Sequence, residues 1–167
     1  MNYVYVAAMI TLVAISATGA SQERGAVIER MPLYYVDPWV GTWNLDVGKS
    51  KFPPGPPLKG GKAVIGPYGH GIKCLVHTVS ANGEARHWEW IAQYSGKDSP
   101  ADAGLFADTV ALKKTGRNTL EVVYKREGTA ILSEQWVVSE GKELRITRKG
   151  MKPSGEGFSG ILVYEKE

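Results

Sequence analysis

The sequence predicts an all-β protein: an antiparallel up-and-down meander of about eight to nine strands closed into a barrel. Three observations carry that expectation. Short runs rich in Val, Ile, Thr, Tyr and Trp alternate with Gly, Asn and Pro at intervals of about ten residues. The links "ANGE" (81–84), "TGRN" (115–118), "EGT" (127–129) and "EGK" (140–142) are short and carry Gly or Asn, which tolerate the positive φ of hairpin turns. Beyond the N-terminal segment, no stretch sustains a helical apolar period, so little or no helix is expected there.

The chain opens on "MNYVYVAAMITLVAISATGA", which has no charged side chain and is almost wholly apolar from Val4 to Ala17. It ends in small residues, the layout of a secretory signal peptide cleaved near Ala20. The expected location is therefore outside the cytoplasm, periplasmic or secreted. An uncleaved anchor is the alternative, but the apolar run is shorter than the ~20 residues a bilayer needs. No cysteine lies near Ala20, so a lipid attached at an N-terminal cysteine is excluded. Residues 21–38 read as a linker and 39–167 as the barrel domain. No stable membrane insertion is expected after cleavage.

The 20 basic and 17 acidic residues all fall after the first twenty, and a net charge of +3 is too small for an electrostatic nucleic-acid binder. Cys74 is the one cysteine, so the fold holds by burial and hydrogen bonding rather than by an intramolecular disulfide. It sits in an apolar run, as a small buried hydrophobe would.

Strands are expected near 39–47, 62–67, 71–80, 85–94, 108–114, 119–126, 129–139, 143–149 and 158–165. On the first, Trp39, Gly41, Trp43, Leu45 and Val47 share one face and Thr42, Asn44 and Asp46 the other. On the fourth, Trp88, Trp90, Ala92 and Tyr94 oppose His87, Glu89, Ile91 and Gln93. On the sixth, Leu120, Val122 and Tyr124 oppose Glu121 and Lys125. Leu144, Ile146 and Arg148 share a face of the eighth. The seventh is insecure, because one residue more or less in "EGT" moves Trp136 from inside to outside. Closure removes the two exposed edges of such a sheet, and a two-sheet sandwich is the second architecture.

Gly41 and Trp43, a Gly-x-Trp on the first strand of a long meander, resemble the lipocalin (calycin) signature. The opening "GTWNLDVGKSKFPPGPP" also resembles a group of small exported bacterial proteins of lipocalin-like type, themselves uncharacterised. The resemblance implies a Trp at the closed end of the barrel with a late-strand Arg over its indole. Arg148 matches that Arg, because the ninefold meander brings its strand to the closed end. Gly41, Trp43 and Arg148 are thus expected to form a structural plug rather than a reaction centre.

The candidate ligand site lies on the fourth strand. With "NG" (82–83) as a two-residue turn, His77 lies opposite Trp88 and Leu75 opposite Trp90, giving a wall of Trp88, Trp90, Tyr94 and His77. Tyr124 joins it from the sixth strand, and Phe52 from the proline-rich link 48–61, which is a lid or a loop packed outside. Such a wall suits a small apolar or amphipathic ligand held inside the barrel. The alternative is that these are core aromatics. An isomerase- or cyclase-type enzyme using His77 or the His87–Glu89 pair is one rival. A surface module for an envelope partner or glycan, with Trp136 outside, is another.

No metal site is expected, because His70, His77 and His87 do not converge. No cofactor motif is present either: "GPYGHG" (66–71) lacks the strand–helix setting and the Lys-Ser/Thr of a phosphate loop, and "GFSG" (157–160) is not a nucleophile elbow. The segment "YSGKDSPADAG" (94–104) reads as a long polar link at the closed end. Ligand identity and oligomeric state are not encoded in any of these patterns.

Overall fold

A computed structural model describes residues 36–53, 57–101, 106–152 and 154–167, all within one compact unit, Tyr35–Glu167. The expected signal peptide, 1–20, and most of the expected linker lie outside the described residues. So do 54–56 of the proline-rich link.

Ten strands follow one another: β1 (Gly41–Leu45), β2 (Leu58–Tyr68), β3 (Gly71–Ser80), β4 (Ala85–Gln93), β5 (Ser95–Pro100), β6 (Thr109–Gly116), β7 (Thr119–Arg126), β8 (Thr129–Ser139), β9 (Glu143–Met151) and β10 (Gly157–Lys166). No helix occurs among the described residues. The sheet order is β4-β3-β2-β1-β10-β9-β8-β7-β6-β5. All neighbours in it are antiparallel, and β1 joins β10 through Trp43↔Lys166, Asn44↔Glu165 and Leu45↔Tyr164. The remaining seam, between β4 and β5, is crossed among the described residues by the bridge Trp90↔Ala101. The result is the nearly closed up-and-down barrel that the alternation and hairpin links imply.

Two registers differ from expectation, and both matter for the site. The polar segment expected as a link contains β5, "SGKDSP", which pairs with β6 through Asp98↔Ala111, Ser99↔Val110 and Pro100↔Thr109, with a bulge between Ser95 and Asp98. Its residues carry neither alternation nor β-propensity; pairing with a strong neighbour overrides both. This extra strand exchanges the ends of every later connection. The links β1–β2, β3–β4, β5–β6, β7–β8 and β9–β10 therefore share one end of the barrel, and Arg148 lies towards that end. The start of β1, the single-residue β4–β5 corner at Tyr94 and the β8–β9 link share the other.

The second difference is the β3–β4 turn. Ser80 pairs with Glu84 (N–H to carbonyl, 2.9 Å), enclosing Ala81, Asn82 and Gly83, with Gly83 at φ 86°. That is a three-residue hairpin loop with glycine in the left-handed position. One residue more than "NG" alone flips the facing of β3. The pairs are Val76↔Trp88, Cys74↔Trp90 and His77↔His87, so His77 leaves the interior.

Inside, the fully buried side chains include Trp39, Trp43, Ile65, Ile72, Leu112, Leu120, Val122 and Leu144. The facing expected for β4, β7 and β9 is the facing found, and so is that of β1 as far as Leu45, where the strand ends; Val47, expected on the same face, is exposed. Trp136 of β8 is buried too. These side chains fill most of the barrel, leaving an internal cavity of about 40 Å³.

Candidate functional site

The barrel closes at the end where β1 begins. Trp39 Nε1 donates to Tyr94 Oη (2.8 Å), and Tyr94 Oη donates to Asp37 Oδ2 (2.7 Å). Lys114 Nζ pairs with Asp37 Oδ1 at 2.6 Å and lies 5.0 Å from the Trp39 ring centre. Trp43 Nε1 donates to the Trp39 carbonyl (2.8 Å). The cation over the Trp43 indole is Lys166, 5.1 Å from the ring centre, and not Arg148. Gly41 accounts for its half of the Gly-x-Trp motif: its φ is 144°, and a Cβ there would stand 2.7 Å from Lys166 Cε. A plug is present, built from Trp39, Trp43, Tyr94, Asp37, Lys114 and Lys166.

Arg148 is displaced from that plug by the tenth strand and forms part of a buried polar cluster instead. It stands directly across from Glu134 in the β8–β9 ladder, and its Nη2 donates to Glu134 Oε1. Glu134 Oε2 accepts from Trp136 Nε1 (2.8 Å) and Tyr124 Oη (3.3 Å). Glu134 is 4% exposed, so its charge is tolerated through these donors. Burial, then the Glu134 charge, pushes the Tyr124 phenol well above its ordinary value. Burial raises Tyr164 and Cys74 in the same way. Burial pulls the Arg148 guanidinium down, but the Glu134 carboxylate outweighs it and the net shift is upward. Arg148 Nε is buried without a hydrogen-bond partner among the described residues.

The sequence-predicted ligand residues do not form one wall. Trp90, 2% exposed, is packed against Tyr124 and Trp136 (ring centres 6.4 and 6.0 Å). Trp88 and Tyr124 border the 40 Å³ internal cavity, while Tyr94 belongs to the closed end. His77 is exposed on the outer face, its ring stacked on His87 with centres 5.9 Å apart. Phe52 packs against the core from the β1–β2 link. That link is anchored next door, where Lys51 exchanges two 2.7 Å backbone hydrogen bonds with Ile161 of β10. Among the described residues, no group of three or more His, Cys, Asp or Glu is placed to hold a metal ion.

The open end carries the feature that strand-by-strand reasoning missed. A cup of about 610 Å³ opens there, walled by Phe106, Leu132, Met151 and Phe158, with Arg148 as part of its lining and Arg126 among the side chains at the end of β7. Phe106 and Met151 expose about half of their surface (46% and 57%). Ligand pockets span about 300–1,000 Å³, so the cup has the size of one and the internal cavity does not. Its walls come from four links or strand ends distant in sequence, which is why no single motif announces it. Glu134 was legible in principle: it shares parity with Leu132, Trp136 and Val138, and a carboxylate on an apolar face requires a partner.

No protein-family model matches the sequence, and no curated protein does. Solved structures are similar in fold. The fluorescent protein UnaG superposes with a TM-score of 0.52 at 13% identity, over 80% of this chain and 100% of that one. The zebrafish ileal bile acid-binding protein, complexed with cholic acid, superposes with a TM-score of 0.50 at 11% identity, over 78% and 99%. At these identities the likeness is one of fold alone: among the described residues the chain forms a ten-stranded, nearly closed antiparallel β-barrel.

Proposed function

We propose that this protein binds a small apolar or amphipathic molecule in the cup at the open end of the barrel, not at its centre. The observation that carries the reading is the cup itself, with three large apolar side chains, Phe106, Met151 and Phe158, around a space of ligand size. The barrel shared with a protein solved in complex with cholic acid supports it as analogy. The interior offers about 40 Å³, room for a water molecule rather than for a ligand. The apolar, charge-free stretch 1–20 supports an exported carrier or sensor.

Titration with Nile red tests this. A blue-shifted emission saturating at one dye per chain is expected, and Ala130→Trp, an exposed position that lines the cup, abolishes it by filling the space. Absence of binding to the unaltered protein, or equal binding to Ala130→Trp, refutes the cup as the site.

A further inference from the structure

We propose that the ligand is an amphipathic anion bound head-out, its acidic group at the rim on Arg126 and its apolar body reaching down to the guanidinium of Arg148. This rests on the cup being the ligand site. The charges select the ligand. Among the described residues the cup is lined by the cations Arg126, Arg148 and Lys152 and by no carboxylate, so these give it a positive lining over apolar walls. The three cations are not equivalent. Arg148 is already neutralised by Glu134, and Lys152 by Glu156 at 2.9 Å. Arg126 has no such ion pair among the described residues.

The same comparison decides the orientation. A carboxylate brought to the floor would meet Arg148 together with the Glu134 charge behind it, and would lose its hydration in exchange for a cation already paired. At the rim it keeps part of its water and meets an uncompensated guanidinium, whose planar fork suits carboxylate or sulfonate. The floor retains a use. Among the described residues the guanidinium has one hydrogen bond, from Nη2 to Glu134, so N–H donors remain for a neutral acceptor. A hydroxyl or carbonyl oxygen at the far end of the ligand fits there, because it adds no charge beside Glu134. The class is a monoanionic amphipath with its acid at one end and a neutral hydrogen-bond acceptor at the other.

The test compares dodecanoate with dodecanol, each displacing Nile red. In the unaltered protein the carboxylate is expected to bind about tenfold tighter, with the advantage shrinking as salt is added because the rim is exposed. In Arg126→Gln the advantage falls to about one. In Lys113→Gln, on the exposed outer side of β6, it stays at about ten. No advantage in the unaltered protein, or one that survives Arg126→Gln, overturns the proposal. So does an advantage lost in a folded Arg148→Lys variant but kept in Arg126→Gln, since that places the acid at the floor. If Nile red itself does not bind, the ligand-site reading falls first and takes this proposal with it.

Discussion

The two ends of the barrel are built on opposite principles. At the closed end the aromatics of the plug are tied down: Trp39 to Tyr94, Tyr94 to Asp37, Asp37 to Lys114, Trp43 to the Trp39 carbonyl. Trp39 and Trp43 are fully buried there. At the open end Phe106 and Met151 stand half in water with no polar group to anchor them, and Phe158 lies across Gly150, whose missing Cβ leaves the ring its place. Val36 and Tyr68 are exposed singly at the closed end, whereas at the open end the exposed apolar side chains gather around one cup, which separates the part that holds the barrel shut from the part left for something to cover.

The sharpest test of that contrast is truncation at each end. Trp43→Ala removes a fully buried indole and its hydrogen bond, and is expected to cost about 3–5 kcal/mol in urea unfolding. Phe158→Ala is expected to cost about 1 kcal/mol while weakening Nile red binding. Similar costs at the two ends would break the comparison.

Next in size is the boundary between the two ends, the Glu134–Arg148 pair. Glu134→Gln keeps the shape and leaves Arg148 uncompensated, an expected loss of about 3 kcal/mol. Breaking a buried pair costs roughly 3–5 kcal/mol, and the low end applies because 21% of the Arg148 side chain is exposed. The double variant Glu134→Leu/Arg148→Met, which removes both charges, is expected to be more stable than Glu134→Gln alone. If it is not, the pair stabilises the barrel beyond mutual neutralisation.

The smallest effect at neutral pH appears only in alkali. Burial raises Tyr124 and Tyr164 above the ordinary 10.0, so the folded protein holds these protons more tightly than the unfolded chain does. Their contribution is complete below the ordinary tyrosine value and is lost as pH rises above it. The urea midpoint is expected to be level to about pH 9 and then to fall. Phenolate absorbance should show these two tyrosines ionising together with unfolding, after the exposed ones. A single smooth titration of all tyrosines with the barrel intact would contradict their burial.

How much of this was readable beforehand depends on what each feature needs. The barrel class needs local alternation and turn chemistry, and both are written in segments such as "LEVVYK" and "EGT". Trp88, Trp90 and Tyr124 face inward as their parity demands. His77 does not, because its facing hangs on whether the turn encloses two residues or three. The plug was expected at Trp43, yet its cation is Lys166, since a count of nine strands sends Arg148 to the wrong end.

By itself, then, the sequence determined the all-β class, the meander and the identity of most inward faces, because these follow from the period-two pattern within each strand. Tertiary structure alone decided that "SGKDSP" is a strand, which end of the barrel each link occupies, and that Glu134 lies directly across from Arg148. It alone assembled the cup, whose walls come from residues 106, 126, 132, 148, 151 and 158. The physical reason is the same in each case. Pairing partners and barrel ends are set by the sum of all turns and registers, and one residue or one strand more changes every side chain that follows.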